Sequence, residues 1–253
     1  NSVYGNVPYL ADQFIGFAQL TWNKALGRRH DLLSGITYRY IFYDDNTPAT
    51  AETDLRNKPG LTHLPGLFLQ DEITLNDQHK FLLGMRYDYN SIHGNIFTPR
   101  INYKWNTKDR LNTLRIGAGN GYRVANVFTE DHAALTGARQ VVFTDELKPE
   151  TSWNLNLNMV KKIFGNHRTV IGLDASAWYT YFSNRIIPDY ETDPNKIIYS
   201  NLAGYSVSKG ISLNADIAFK NGLKIIAGAT LMDVSLVENG IRSRQMLTEK
   251  ITG

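Results

Sequence analysis

A strict two-residue alternation of apolar and polar side chains constrains this sequence more than any other feature. In residues 152–159, Trp153, Leu155, Leu157 and Met159 alternate with serine or asparagine. Successive side chains of a β-strand point to opposite faces of a sheet. The segment therefore predicts a strand with one apolar face and one face of amides and hydroxyls.

The alternation recurs along most of the chain. We predict about ten strands, at 13–23, 32–43, 66–75, 80–90, 98–105, 114–119, from 153, from 169, at 207–219 and at 223–231. The 14 Tyr, 11 Phe and 4 Trp favour an all-β fold. No run of about 18 apolar residues is present, so no transmembrane helix is expected. Many of the strands exceed the usual 5–6 residues and reach the length that a tilted strand needs to cross a bilayer.

The connections between the predicted strands differ at the two ends of the sheet. Short turns are expected at 25–30, 76–79, 106–110, 164–167 and 220–222, and longer loops at 44–63, 91–95, 124–146, 184–199 and in the tail from 238. An up-and-down meander with tight turns at one end and large loops at the other is typical of outer-membrane barrels.

Aromatic residues on the apolar face lie near the ends of the predicted strands. They are Trp22, Tyr40, Tyr89, Trp105, Tyr179 and Tyr181. Tyrosine and tryptophan concentrate at membrane interfaces. The pattern predicts an antiparallel transmembrane barrel segment with its apolar face in lipid and its polar face in the lumen. The alternative is a soluble β-sandwich or a large soluble barrel, in which the apolar faces form a core.

Several motifs occur in a consistent order from about residue 80 to residue 232. A glycine-rich strand end contains Tyr122 and Arg123, a loop with Glu130 follows, and Leu147-Lys148-Pro149-Glu150 opens the next strand. The segments 86–88, 98–100 and 201–204 add weaker matches. Together they resemble the barrel of TonB-dependent outer-membrane receptors. One departure is Val124-Ala125, where the family commonly has Ala-Pro.

The resemblance implies a barrel of about 22 strands with a plugged lumen. Residues 1–253 are then expected to be part of one barrel domain, without the plug domain and the final strands. The protein would be a multi-pass component of a bacterial outer membrane, in contact with lipid and coupled to TonB through the missing plug. Whether a surface lipoprotein caps the loops stays open.

The implied function is active import of a scarce, large solute such as a ferric siderophore or cobalamin. Two alternatives stay open, a haem receptor with His132 as ligand and a passive porin or adhesin. A barrel enzyme would need a Ser-His or Asp-His pair at the rim, and the sequence shows none. We expect no catalytic residue, metal site or cofactor, and the dispersed net charge of +3 indicates no nucleic-acid partner.

Two sets of candidate site residues follow. The first set should face the lumen or the plug, because a charge on the lipid face is costly: Arg86, Asp88, Arg100, Lys104, Arg115, Asp174 and Asp216. The second set is the loop residues that would meet a ligand: Glu130, His132, Arg139, Tyr190 and Tyr199.

Overall fold

One antiparallel meander dominates the computed structural model, which describes residues 2–4, 7–46, 50, 57–124, 139–144, 147–165, 169–245 and 250–252. In chain order its strands are β1 Ser2–Tyr4, β2 Val7–Tyr9, β3 Ala11–Leu26, β4 His30–Asp45, β5 Gly60–Thr74, β6 His79–Asn90, β7 Gly94–Asn106, β8 Asn112–Arg123, β9 Gln140–Phe143, β10 Glu150–Phe164, β11 Val170–Asn184, β12 Ile186–Asp189, β13 Lys196–Asn201, β14 Gly204–Ala218, β15 Lys224–Glu238, β16 Ile241–Arg244 and β17 Ile251–Thr252. The prediction of an all-β antiparallel fold is confirmed.

The main sheet runs in the order β3, β4, β5, β6, β7, β8, β10, β11, β14, β15 and β16, and β17 also pairs with β15. Each long strand therefore hydrogen-bonds to the neighbouring long strands in sequence. Along this path the sheet is barrel-like but does not close on itself. We call the end with the hairpins 27–29, 75–78 and 219–223 the turn end, and the opposite end the loop end.

Three predictions about connections were wrong. The loop at 91–95 is a three-residue turn, in which Asn90 Oδ1 accepts hydrogen bonds from the amides of Ile92 and His93 at 2.9 and 3.1 Å. The tail from 238 continues the sheet, because Asn239 and Gly240 adopt positive φ values of 51° and 78° and turn the chain into β16. Asn239-Gly240 is a typical hairpin signal and could have been identified from the sequence.

The third error concerns the segments 124–146 and 184–199, which hold short strands as well as loops. Strand β13 pairs with β12 antiparallel and with β9 in parallel. These three strands form a small separate sheet at the loop end, which we call the loop sheet. Residues 125–138, 145 and 146 lie outside the described part of the chain.

The register divides the long strands into two faces. Leu69, Met85, Leu157 and Leu213 belong to the apolar face, and their side chains are 44–58% exposed. The buried apolar residues in the described chain are few, namely Ile96, Ile197, Tyr199, Leu202 and Val207. A β-sandwich would bury such a face against a second sheet. The exposed apolar face is instead suited to contact with lipid.

Aromatic side chains lie near both ends of the apolar face. On β7, Phe97 lies toward the loop end and Trp105 toward the turn end, eight positions apart. At about 3.3 Å per residue this spacing is roughly 26 Å along the strand, close to the height of the apolar band of outer-membrane barrels. Among the described residues we find no helix that could span a membrane.

Candidate functional site

The two halves of the sequence motif meet at the loop end. The register places Arg123 at the end of β8 directly opposite Glu150 at the start of β10. Arg123 Nε and Nη2 donate to Glu150 Oε2 at 2.8 and 2.5 Å. Hydrogen bonds to charged groups are stronger than neutral ones. This pair joins the two strands on either side of the longest connection in the chain.

The carboxylate of Glu150 also holds the next loop in place. Its Oε1 accepts a hydrogen bond from the amide of Ile186 at 3.1 Å, and the residue is only 7% exposed. Arg185 lies beside it and donates through Nη1 to Ser206 Oγ at 3.1 Å and to Gln245 Oε1 at 2.7 Å. Burial lowers the pKa of the Arg185 guanidinium, an effect that the charge of Glu150 opposes. We call Arg123, Glu150 and Arg185 the rim cluster.

The remaining motif residues fasten the loop sheet to the rim. The amide of Lys148 donates to Asn201 Oδ1 at 2.9 Å. Asn184 Nδ2 donates to the carbonyl oxygens of Lys148 and Pro149 at 3.1 and 2.8 Å. Leu147 packs against the core of the loop sheet, around Ile197 and Tyr199. Tyr122 lies on β8 next to Arg123, directly opposite Thr151. The motif residues therefore attach the loop sheet to the loop end of the main sheet.

The loop residues predicted to contact a ligand have different surroundings in the structure. Tyr199 is 3% exposed in the core of the loop sheet, which favours a packing role over ligand contact. Tyr190 packs on that core, and Arg139 Nη1 donates to its carbonyl oxygen at 3.0 Å. Glu130 and His132 lie outside the described residues. In the described part of the chain, no group of three acidic or histidine side chains is arranged to hold a metal ion.

All seven candidate lumen residues share the polar face, as the strand register shows. Near the loop end, Arg86 donates through Nε and Nη2 to the two oxygens of Asp88 at 2.6 and 2.7 Å, and through Nη2 to Thr37 at 2.9 Å. Asp88 is 6% exposed. Thr37 could not be identified from the sequence, because it reaches the pair only through the order β4, β5 and β6 in the sheet.

Glycines on the polar face provide room for neighbouring side chains. A Cβ on Gly84 would lie 2.9 Å from Arg100 Nε, and one on Gly119 would lie 3.0 Å from Arg100 Cβ. Arg100 therefore lies flat along the wall, where its Nη2 donates to Gln70 at 2.6 Å. The space over these two glycines is therefore filled by a side chain of the wall itself.

Toward the turn end, the polar face carries a row of cations. Lys80 on β6 is opposite Lys104 on β7, and Lys104 is opposite Arg115 on β8. Arg115 Nη1 donates to Asn158 Oδ1 at 2.9 Å, and Asn158 Nδ2 donates to Asp174 Oδ1 at 3.0 Å. Asp216 lies further along the same face, against Gly172. Lys80 was absent from the candidates, because only the register reveals its place in the row.

An open antiparallel meander with one apolar, lipid-compatible face and one charged face is typical of the wall of an outer-membrane barrel. The family model described as TonB dependent receptor-like, beta-barrel matches residues 1–247. The chain belongs to this family. Its members lie in the outer membrane of Gram-negative bacteria, and this chain is an outer-membrane protein of that class.

Individual proteins agree with this assignment. The iron-regulated outer membrane virulence protein of Vibrio cholerae serotype O1 is 32% identical over 163 residues, which are 62% of this chain and 23% of that protein. The siderophore receptor PirA of Pseudomonas aeruginosa superposes with a TM-score of 0.65 at 18% identity, over 90% of this chain and 42% of that one.

A further solved structure, the ferric enterobactin receptor PfeA of Pseudomonas aeruginosa in complex with BCV-L6, gives a TM-score of 0.66 at 19% identity, over 88% of this chain and 36% of that one. At such identities the structural similarity establishes the fold alone. The chain spans less than half the length of the proteins that it matches.

Proposed function

We propose that this chain forms part of the wall and the surface loops of a receptor that imports a ferric siderophore across the outer membrane. The observation that carries the proposal is the polar face, where charged and amide side chains line the side opposite a lipid-compatible surface. The iron-regulated relative and the family match support this assignment. The rim cluster and the loop sheet supply an ordered surface near the cell exterior.

The proposal includes parts of the protein beyond this chain. Residues 1–253 would be one portion of a single barrel domain, because an open edge such as β3 would leave unpaired backbone groups in lipid. Further strands would close the barrel, a plug domain would fill it, and TonB would supply energy through that plug. We propose no catalytic role for any residue of this chain.

Uptake under iron limitation tests the proposal. The full receptor would be expressed in a Gram-negative strain that lacks its own siderophore receptors, and growth would be followed with ferric siderophores, haemin and cobalamin supplied separately. We expect a ferric siderophore to restore growth only when TonB is present. Growth on haemin alone, lost in His132→Ala, would favour haem import, and TonB-independent entry would favour a passive pore.

A further inference from the structure

At the turn end, the apolar face carries a cation beside an aromatic residue. Trp105, Leu114 and Met159 lie opposite one another on the neighbouring strands β7, β8 and β10. Lys161 is two positions beyond Met159 on β10, so its side chain is on the same face. Ile163, two positions further, is apolar and 36% exposed. Lys161 therefore lies within the lipid-compatible surface, next to the row that contains Trp105.

The hairpin that joins β7 and β8 lies beside this lysine. It spans residues 107–111, and its Lys108 and Arg110 are exposed. The amide of Lys162 donates to the carbonyl oxygen of Leu111 at 2.8 Å, which fixes the hairpin against β10. The two cations are therefore close to the lipid-compatible surface, just beyond the end of β7.

A second hairpin of the turn end has a similar arrangement. In residues 219–223, Lys220 lies between Phe219 and Leu223, which are 37% and 53% exposed. The amide of Phe219 donates to the carbonyl oxygen of Leu223 at 2.9 Å and closes the hairpin. Both apolar residues continue the alternation of the apolar face of β14 and β15. The apolar surface therefore reaches the hairpin itself, and Lys220 lies where that surface ends.

Acidic residues offset only part of this positive charge. In the first hairpin, Asp109 Oδ1 accepts hydrogen bonds from the amide of Leu111 at 2.9 Å and from the hydroxyl of Thr107. Asp77, in the adjacent turn 75–78, is exposed. The cations that form no ion pair or side-chain hydrogen bond within the described residues are Lys108, Arg110, Lys161 and Lys220. This part of the turn end therefore keeps a positive charge.

The cations of the loop end have different partners. Arg86, Arg123 and Arg242 each form an ion pair with a carboxylate of the chain at 2.5–2.6 Å. Unpaired cations beside a lipid-compatible surface require another partner, because a hydrocarbon layer does not solvate charge. Long Lys and Arg side chains extend from such a surface into the headgroup layer. The groups available there are the phosphates of the lipids.

We propose that this sector of the turn end, formed by Lys161 and the hairpins 107–111 and 219–223, binds the headgroups of anionic phospholipids. The acyl chains would lie on the apolar face, and the headgroup phosphates would lie at the level of the cations. Clusters of cations next to a membrane attract anionic lipids in this way. A free phosphate ion matches the cations alone, whereas a lipid matches both the cations and the apolar residues between them. The inference concerns the lipid partner and is independent of the imported solute.

Quenching of Trp105 fluorescence in the full receptor tests this surface. The receptor would be reconstituted in phosphatidylcholine vesicles that contain a minor fraction of either phosphatidylglycerol or phosphatidylcholine with brominated acyl chains. Bromine quenches tryptophan on contact, and the difference between the receptor and its Trp105→Phe variant isolates the signal of Trp105. We expect brominated phosphatidylglycerol to quench about threefold more strongly than brominated phosphatidylcholine. The preference should disappear at about 1 M salt, where the Debye length is about 3 Å.

Two sets of variants separate charge from structure. Replacement of Lys108, Arg110 and Lys161 by Gln should make the two brominated lipids equal quenchers of Trp105. Lys108→Arg, Arg110→Lys and Lys161→Arg together keep the charge and should keep the preference. Arg110 has a positive φ of 57°, and both replacements place a non-glycine residue there, so the backbone strain is matched. Trp153, isolated in the same way with Trp153→Phe, lies toward the loop end and should show no preference.

Several outcomes would overturn the inference. Equal quenching of Trp105 by the two lipids in the unaltered receptor contradicts a preference for anionic headgroups. A preference that persists in the glutamine variant assigns it to another part of the receptor. Loss of the preference in inorganic phosphate, but not in chloride of equal ionic strength, identifies a site for a free anion. If the glutamine variant fails to assemble, the salt dependence and the comparison of Trp105 with Trp153 still decide the question. Failure of siderophore import would contradict the proposed function and leave this inference standing.

Discussion

At the scale of single residues, the motif around Arg123 and Glu150 has a direct physical meaning. The two residues are separated by the longest connection of the chain, yet the register of β8 and β10 places them opposite each other. Glu150 is almost fully buried, and a buried carboxylate requires a partner. Arg123 supplies that partner, and Glu150 in turn holds the amide of Ile186. The pair therefore holds the connection after β8 and the connection after β11 together at the loop end of the sheet.

Removal of Arg123 should destabilise this rim. In Arg123→Ala, Glu150 loses two hydrogen bonds. We expect the barrel to lose about 1–2 kcal/mol of stability. The value is modest because the Arg123 side chain is 58% exposed and its charge is partly screened by solvent. Urea unfolding of the full receptor in lipid vesicles would measure it. Arg28→Ala, in the exposed turn 27–29, is the matched control and should change stability by less than about 0.5 kcal/mol.

The turn after β12 should respond to acid. Asp189 Oδ2 accepts a hydrogen bond from the hydroxyl of Thr192 at 2.5 Å, and its Oδ1 accepts from the amides of Glu191 and Thr192 at 2.9 and 3.0 Å. These bonds, the hydroxyl of Thr192 first, lower the pKa of Asp189. A lowered folded-state pKa means that the stabilisation is complete above the unfolded-state value of about 3.9 and is lost as pH falls through the lower folded-state pKa.

A fluorophore on a cysteine introduced at Glu191 would report this transition. We expect constant anisotropy from pH 7 to about pH 5 and a fall below about pH 4, as the carboxylate is protonated. Asp189→Asn should have lower anisotropy at pH 7 and no acid step. Asp193 is replaced by Asn in both proteins, because hydrogen bonds from the Asn195 amide and Lys196 lower its pKa too. An unchanged acid step in Asp189→Asn would assign the transition to another group.

At the scale of the strand, glycines determine how closely neighbours approach. Gly204 begins β14, and a Cβ there would collide with the carbonyl oxygen of Val237 on β15. Because the obstacle is backbone, it cannot rotate aside as a side chain would. Gly204 is thus required for pairing at the loop end of β14 and β15.

Gly204→Ala should separate these strand ends and lower the stability of the barrel by about 1–3 kcal/mol, as overpacking usually does. The fraction of receptor that resists unfolding in unheated detergent gels, together with the urea midpoint, would measure the loss. Gly60→Ala is the control, since a Cβ there would lie 3.7 Å from the carbonyl oxygen of Tyr43, an ordinary contact. Equal effects of the two substitutions would contradict the steric explanation.

The predicted strands show which elements local sequence can specify. All ten long strands were predicted from alternation, usually a few residues too short. The loop sheet was missed, because its segments QVVF and KIIY are brief apolar runs without flanking alternation. Strands β9 and β13 also pair in parallel across more than 50 residues of chain. No local rule specifies a contact between segments so far apart.

At the scale of the whole molecule, the two faces define the position of the protein in its surroundings. Leu157 and Asn156 are consecutive residues of β10, so Leu157 is on the apolar face and Asn156 is on the polar face. A soluble sandwich would instead bury Leu157 against a second sheet. The consequences of a charge at the two positions therefore distinguish the two architectures.

Leu157→Arg should cost about 2–4 kcal/mol in lipid, because a cation at mid-depth of the bilayer is poorly solvated. Asn156→Arg should cost less than about 0.5 kcal/mol, since its side chain stays in contact with water. Unfolding of both variants of the full receptor in the same vesicles would measure the difference. Similar costs at the two positions would contradict a lipid-facing apolar surface.

The sequence by itself determined the fold class, the ten long strands and the division into two faces, because side-chain alternation follows directly from strand geometry. It also placed the seven charged wall residues on one face. Only the tertiary structure decided which of them meet, since cross-strand contacts depend on register and not on local pattern. The row of Lys80, Lys104 and Arg115, the contact of Thr37 with Arg86 and the burial of Tyr199 all depend on that register.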